Sequence, residues 1–300
     1  MEQQQVIWYD GELVPWSSAQ THITSYGLML GIGFFEAFRC FETKDGPALF
    51  RVDDHLRRLH ESGHTYLRTF PYSSEQLKAA CKEVVRANGL SECYLRVLVF
   101  LGEGANPATT PFRTAVIATT AGPYVNEPDA NGFHAKISNV QRPAPSALPF
   151  TAKATGQYLN ASLALIDALA GGYDSAILLN QSGHVVDGYI HNIFAVRRGV
   201  LRTPPVSSGA LAGITRDTVL RVAEELDIPV EVEDILPAEL YNADEVFLTG
   251  TQAGIMPIAS VDRRKVGDGK PGAVARALSA AVDDVVHGRT QAHADWLEPV

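Results

Sequence analysis

The stretch Ala152-Lys153-Ala154-Thr155-Gly156 decides how the rest of the chain is read. It follows a proline-studded segment, residues 143–149, and sets one lysine among small residues with neither a carboxylate neighbour nor a helical charge ladder. Such a lysine is a candidate for burial, and burial favours loss of its proton because desolvation penalises the charged form. A neutral ε-amine is a nucleophile that forms imines with carbonyl compounds. A lysine on a flexible surface loop looks the same locally, so the reading extends outward from Lys153.

Downstream, strands and helices alternate. The pattern predicts a helix over 158–170 ended by Gly171-Gly172, and strands over 176–179 and 184–186 around a Ser182-Gly183 turn. Strands over 192–196 and 200–203 flank Gly199, and a helix over 215–226, a strand over 246–250 and a helix over 272–286 complete this half. Only a polar tail follows His287. Upstream the texture is α+β. Strands 7–9 and 12–14 enclose Asp10-Gly11, and strands 38–43 and 48–50 enclose Asp45-Gly46. Asp53 or Asp54 is placed to cap a helix carrying Leu56, Leu59, Tyr66 and Leu67 on one side, and Ser74 to cap another that stops at Asn88-Gly89. Residues 94–101 alternate as a strand with Tyr94, Arg96, Leu98 and Phe100 on one face, and 112–120 form another. Residues 122–132, with Pro123 and Pro128, show no periodicity and read as the connection between domains.

Composition narrows the function. Three hundred residues, 46% hydrophobic, give one large or two medium cores, and a net charge of −9 argues against a nucleic-acid surface, leaving small molecules as partners. No apolar run reaches membrane-span length and Met1 to Gln5 lacks a secretory pattern, so a cytoplasmic protein is expected. Cys40, Cys81 and Cys93 lie in apolar stretches and read as reduced core thiols; no metal signature is found among the histidines.

Two loops carry further chemistry. Residues 210–217 bring Gly213 straight into a helix start at Thr215, where backbone N–H groups and the positive dipole end seat a phosphate. Residues 248–254 run a strand into Thr249, Thr251 and small residues, offering a second set of donors. Taken singly, either loop reads first as a plain structural cap, since helices begin this way throughout proteins. There is no Walker-type lysine motif and no complete Gly-x-Gly-x-x-Gly after a strand. An imine-forming lysine plus two phosphate loops is the minimum kit for pyridoxal 5′-phosphate, which also needs a carboxylate at its ring nitrogen. Asp187 in Val185-Val186-Asp187-Gly188-Tyr189 is the candidate, since it follows apolar strand residues; an Asp-Gly pair is also a turn signal.

The motifs fall in a recognisable order. Trp8-Tyr9-Asp10-Gly11-Glu12, Gly33-Phe34-Phe35-Glu36-Ala37-Phe38-Arg39, Phe50-Arg51 through Arg58-Leu59-His60, Tyr94-Leu95-Arg96, Ala152-Lys153-Ala154 with Tyr158, Gly213-Ile214-Thr215-Arg216-Asp217 and Ala243-Asp244-Glu245-Val246-Phe247 together resemble the branched-chain amino acid aminotransferases, among the fold type IV pyridoxal-phosphate enzymes. The resemblance, from about Ile7 to about Val286, implies a mixed α+β and α/β fold: a small α/β domain over 1–124, an interdomain loop over 125–135, and a larger pseudo-barrel domain binding pyridoxal 5′-phosphate over 136–300. It implies that Lys153 is the Schiff-base lysine and moves the proton between substrate and cofactor, and that Tyr158 touches the cofactor's phenolic oxygen. It gives the phosphate to Arg58, Thr251 and the backbone of Leu211, Ile214 and Thr215, and the ring nitrogen to Asp187. Tyr94 and the Gln252-Ala253 backbone would bind the α-carboxylate, Phe35 would line the side-chain pocket, and Arg96 with Tyr124 would meet the far carboxylate of glutamate. Sites of this family draw residues from two subunits, so at least a homodimer is expected, with residues 31–35 near the junction.

Some positions depart from the pattern. Asp187 stands where glutamate is usual, one methylene shorter, so its contact with the ring nitrogen is expected to need a water or a shifted cofactor. Tyr189 and Ile190 replace small residues, Leu30 replaces a tyrosine that crosses from the partner subunit, and Ala37 replaces a glycine. His191 beside them is within reach of the site, but a lone histidine beside a strand is more often hydrogen-bonded structure. An (R)-selective amine transaminase therefore stays open beside transfer from a branched-chain or other apolar L-amino acid to a 2-oxo acid. D-amino acid aminotransferases carry an Arg-x-His trap after the strand that holds Arg96, and residues 101–111 contain neither residue. Aminodeoxychorismate lyases share the fold but resemble residues 34–39 less, and a cofactor-free scaffold with a decayed site rests on Asp187 alone.

Overall fold

The computed structural model describes residues 5–120 and 132–300. They form two compact units, one from the described part of Met1–Gly122 with Ala152–Gly156 and Asp284–Val300, the other from the described part of Pro123–Thr151 with Gln157–Asp283. Tyr124 and residues 125–131 of the expected interdomain loop lie outside the described residues.

In the first unit, β1 (Val6–Tyr9) and β2 (Glu12–Pro15) are joined by Asp10-Gly11, both at positive φ (48° and 104°), the backbone that an Asp-Gly hairpin turn requires. After α1 (Tyr26–Leu30) come β3 (Gly33–Thr43), β4 (Gly46–Phe50), α2 (Val52–Thr65), α3 (Ser74–Ala87), β5 (Cys93–Leu101) and β6 (Phe112–Thr119). Among the described residues they build a sheet in the order β4-β3-β5-β6-β1-β2, extended beyond β4 by Leu297–Pro299. Alternation along β5 sends Leu95, Val97 and Val99 into one buried cluster with Leu56 and Leu59 of α2 and Leu77 and Val84 of α3, which leaves Tyr94, Arg96, Leu98 and Phe100 on the other face.

The helix starts differ from expectation. The N-cap of α2 is Arg51, at φ 53°, with Asp53 and Asp54 inside the first turn, where Asp54 accepts from Arg51 Nε at 2.6 Å and its charge suits the helix dipole. The N-cap of α3 is Ser73, which closes a capping box with Gln76. Leu67 lies beyond the end of α2 at φ 55° and is almost fully exposed rather than on the helix's apolar side. The tail is not featureless: Leu297–Pro299 pairs antiparallel with β4, and Glu298 holds Lys82 at 2.5 Å.

The second unit contains β7 (Phe133–Ile137), α4 (Tyr158–Ala170), β8 (Ser175–Leu179), β9 (Val185–Gly188), β10 (Asn192–Arg197), β11 (Val200–Thr203), α5 (Ile214–Glu225), β12 (Val230–Val232), α6 (Pro237–Tyr241), β13 (Glu245–Gly250), β14 (Gly254–Val261) and β15 (Arg264–Lys265), followed by α7 (Ala273–Val286), whose end belongs to the first unit. Among the described residues its mixed sheet runs β12-β11-β10-β13-β14-β7-β8-β9. The sheet curls, because Gly188 at the end of β9 gives its N–H to His191 O at 2.7 Å and turns the chain directly into β10. Ile177, Val185, Ile193, Val246, Leu248, Ile258 and Val261 fill its core. β7 and β14 were not anticipated, β14 because Gly254 and Pro257 interrupt its apolar pattern. No described helix is long and apolar enough to cross a membrane.

Candidate active site

In the first unit, residues 152–156 run beside the start of β3. Phe34 and Ala154 form an antiparallel bridge, Phe35 donates its N–H to Lys153 O at 3.2 Å, and Lys153 N–H reaches Ser62 Oγ on α2 at 2.9 Å. Thr155 Oγ1 donates to Gly31 O at 2.8 Å. The lysine backbone is therefore fixed on both sides. Ala152 and Ala154 are buried while Lys153 itself is half-buried, less enclosed than the sequence suggested. Its Nζ stands 4.7 Å from the Phe35 ring centroid, and the Arg96 guanidinium carbon lies 5.8 Å from the rings of both Phe35 and Tyr94. Of the residues singled out in the sequence, Lys153 and Arg96 thus lie near the Phe35 ring and Tyr94 lies near Arg96.

Alternation along β3 turns Glu36 to the α2 side, where it is fully buried. Arg58 meets it in a fork, Nε to Oε1 at 2.6 Å and Nη2 to Oε2 at 2.8 Å, and His55 Nδ1 reaches Oε2 at 2.7 Å. Burial alone raises the Glu36 carboxyl, but Arg58 and His55 outweigh it and hold the acid well below the usual range. Burial likewise lowers the His55 imidazole, against the pull of Glu36 and with the help of Arg58 and Lys153. Arg58 is thus not the solvated helix arginine its helical position alone would suggest. Glu36 and His55 were missed in the sequence, though an acid inside an apolar strand is a signal that it has a partner.

The second unit holds Tyr158, Asp187, Leu211, Ile214, Thr215, Thr251, Gln252 and Ala253. Asp187 lies in β9 rather than in a turn and is buried; Arg142 Nη2 donates to its Oδ1 at 2.8 Å, and the Leu211 backbone adds a further hydrogen bond. Burial pushes the Asp187 carboxyl up to about 6 against the pull of Arg142 and that bond. Leu211 O accepts from Asn192 Nδ2 at 2.9 Å, which pins the loop ahead of α5. The N-cap of α5 is Gly213, which supplies no capping side chain, so backbone N–H groups and the helix dipole present the positive end at Ile214 and Thr215. A β-carbon at Gly213 would meet Asn192 Oδ1 at 1.8 Å, so glycine alone fits this approach. Thr251, Gln252 and Ala253 form the turn between β13 and β14, closed by the Gly250–Gly254 pair. Tyr158 opens α4, half-buried. His191 is buried with its ring so near Gly250 that a β-carbon there would meet Cδ2 at 2.6 Å, and Tyr189 meets it edge-on. Arg142, which no sequence signal indicated, joins this set. Within the second unit these groups suit an anionic heteroaromatic ligand: a helix start without a capping side chain for a phosphate, and a buried carboxylate for a ring nitrogen.

Residues 33–261 match the family described as amino-transferase class IV. The chain belongs to that family, and its fold is fold type IV, as expected. It is 38% identical over 299 residues to the branched-chain-amino-acid aminotransferase of Escherichia coli strain K12, covering 98% of this chain and 97% of that protein. The enzyme of the same name from Pseudomonas aeruginosa is 40% identical over 295 residues, 97% of this chain and 96% of its own. The crystal structure of the branched-chain amino acid aminotransferase from Thermobaculum terrenum in its PLP-form superposes with a TM-score of 0.92 at 33% identity, covering 100% of this chain and 99% of that one.

Proposed function

We propose that this protein is a pyridoxal 5′-phosphate-dependent aminotransferase that moves an amino group between a branched-chain or other apolar L-amino acid and a 2-oxo acid. The observation that carries the reading is Lys153: a half-buried amine whose backbone is held by Phe35 and Ser62, in a chain collinear with branched-chain aminotransferases nearly end to end. Bound pyridoxal 5′-phosphate supplies an aldehyde that captures amines and a ring that takes up the electrons freed when an α-proton leaves. Lys153 Nζ is the anchoring amine and carries the proton to and from the substrate α-carbon. Arg58, Thr251 and the backbone of Leu211, Ile214 and Thr215 hold the phosphate, Tyr158 the phenolic oxygen and Asp187 the ring nitrogen. Tyr94 and the Gln252-Ala253 backbone bind the α-carboxylate, Phe35 borders the side chain, and Arg96 with Tyr124 receives a distal carboxylate.

The apolar residue Leu30, exposed in α1, and the outward leucines of α4 support a homodimer, and the buried thiols of Cys40, Cys81 and Cys93 support a reducing, cytoplasmic setting. The test is a half-reaction survey in which purified holoenzyme is mixed with single amines and the imine absorbance is followed. L-leucine, L-isoleucine and L-valine should discharge it. If all three leave the spectrum unchanged while one enantiomer of 1-phenylethylamine converts it, the protein is an amine transaminase instead.

A further inference from the structure

The Glu36–Arg58–His55 cluster has no place in the functional reading so far except through Arg58. Three ionisable side chains are packed together out of water, and a buried carboxylate is kept only when its partners are well placed. The Nε–Nη2 edge of Arg58 is committed to both oxygens of Glu36, so the guanidinium plane is set by the carboxylate plane and rotation about the Arg58 side chain is blocked. His55, one turn earlier on the same side of α2, bonds Oε2 and so fixes the carboxylate in turn. One turn later Ser62 donates to Arg58 O at 2.7 Å and accepts from Lys153 N–H, which registers Lys153 and Arg58 on the same stretch of helix.

We propose that Glu36, steadied by His55, is a positioning residue that fixes the orientation in which Arg58 meets the phosphate of the cofactor. The inference rests on the reading of Arg58 as a phosphate ligand and adds to it a cause for the arginine's geometry. Charge and orientation make opposite demands here. Removing the negative charge of Glu36 strengthens the local positive field and, by Coulomb's law alone, tightens an anion. Releasing the guanidinium from its fork loosens the same anion. The sign of the change therefore separates a positioning role from a merely electrostatic one.

The experiment compares wild-type holoenzyme with E36Q, H55L, H55N, R58K and the E36Q/R58K pair. Each is dialysed to release cofactor and then titrated with pyridoxal 5′-phosphate and with unphosphorylated pyridoxal, followed by imine absorbance; the ratio of the two affinities reports the phosphate interaction alone. R58K should collapse the ratio, since an ammonium does not reproduce the fork. E36Q should lower it by about tenfold, within the coupling known for contacting charged groups, and should add nothing on top of R58K. H55L should lower it less, and H55N, which restores a donor near Nδ1, should recover part of the loss. An E36Q ratio equal to or above wild type, with R58K collapsed, overturns the inference. If E36Q does not fold, an unchanged ratio in H55L overturns it and a lowered ratio rescued by H55N supports it. A ratio untouched by R58K removes the phosphate role of Arg58 itself and the inference with it.

Discussion

Arg142 Nη2 stands 2.8 Å from Oδ1 of Asp187, and both side chains are almost sealed from water. Burial lifts the carboxyl to about 6 even with the guanidinium in place. If Asp187 serves the ring nitrogen as an anion, the protonated ring draws its carboxyl below the value of about 6 that burial and Arg142 set, so the rate of the amino-acid half-reaction should fall only at a pH below about 6, and the step should vanish in D187N, which stays at the low-pH rate throughout. The stability effect has the opposite direction in pH. Because the folded value lies above the ordinary carboxylate value of about 4, the folded state binds the proton more tightly, and this group's contribution to stability is present below about 4 and declines as pH rises toward about 6. Denaturant titrations at pH 4.5 and 7 should show that decline in the wild type and a flatter profile in D187N.

R142M leaves the carboxylate buried with no guanidinium beside it. The remaining hydrogen bond from the Leu211 backbone does not replace a charge, so the acid should be protonated across the neutral range. R142M should therefore resemble D187N in rate at pH 7, with activity regained toward alkaline pH, and R142K should retain an intermediate profile. A wild-type pH profile in R142M would show that the pair serves packing only.

Ser62→Ala removes the acceptor for Lys153 N–H in a buried setting. An unsatisfied backbone donor costs about 1–3 kcal/mol, so the melting temperature should fall. The freed lysine segment should also lower kcat with little change in KM for the amino donor, because the reacting amine is less well placed. Lys153→Ala, by contrast, should abolish imine absorbance and the half-reaction while the melting temperature of the apo-protein stays close to wild type, since the bonds that hold its backbone do not involve the side chain.

How far these features were legible follows from how local their causes are. The Asp10-Gly11 turn and the alternation of β5 depend on neighbours two residues apart, and both were readable. The start of α3 was misread by one residue because Ser73 and Ser74 are equivalent as letters, and that of α2 because Arg51, which carries no capping signal, takes the N-cap and leaves Asp53 and Asp54 in the first turn. Lys153 stood out through its small neighbours, and Asp187 through the apolar residues that precede it. Arg142 did not, since its partner is 45 residues away and its own surroundings are an irregular loop. Glu36 carried the same signal as Asp187 and went unread because the aromatic residues around it account for the strand without it.

Gly213→Ala tests the loop ahead of α5. The added β-carbon meets a buried amide oxygen, Asn192 Oδ1, which is held in place by the bond from Asn192 Nδ2 to Leu211 O. Neither group has room to yield, so the substitution should cost about 1–3 kcal/mol of stability. Displacement of Ile214 and Thr215 should weaken pyridoxal 5′-phosphate more than pyridoxal. Equal loss for both would mean that the α5 terminus does not hold the phosphate. Asn192→Ala, which clears the space, should restore much of the stability of the Gly213→Ala variant in the double substitution.

The packing of α4 is inverted relative to an ordinary surface helix. Ala161, Ala164 and Ala168 point inward, the latter two packing with Ala176 and Leu178 of β8, while Leu159, Leu163, Ile166 and Leu169 point outward with 79%, 55%, 63% and 43% of their surface exposed. The outward set recurs every three or four residues and forms one apolar stripe. Small residues inward let the helix lie close to the strand; the exposed parts of the large ones gain nothing in a lone chain, and burying them against a second copy is worth, for each, a fraction of the about 1.5–3 kcal/mol that full burial of such a side chain gives. L163K and I166K together should therefore shift sedimentation from dimer to monomer without lowering the helical circular dichroism signal. An unchanged sedimentation coefficient in the double variant would place the homodimer contact elsewhere. A monomeric wild type would leave the stripe with no such role.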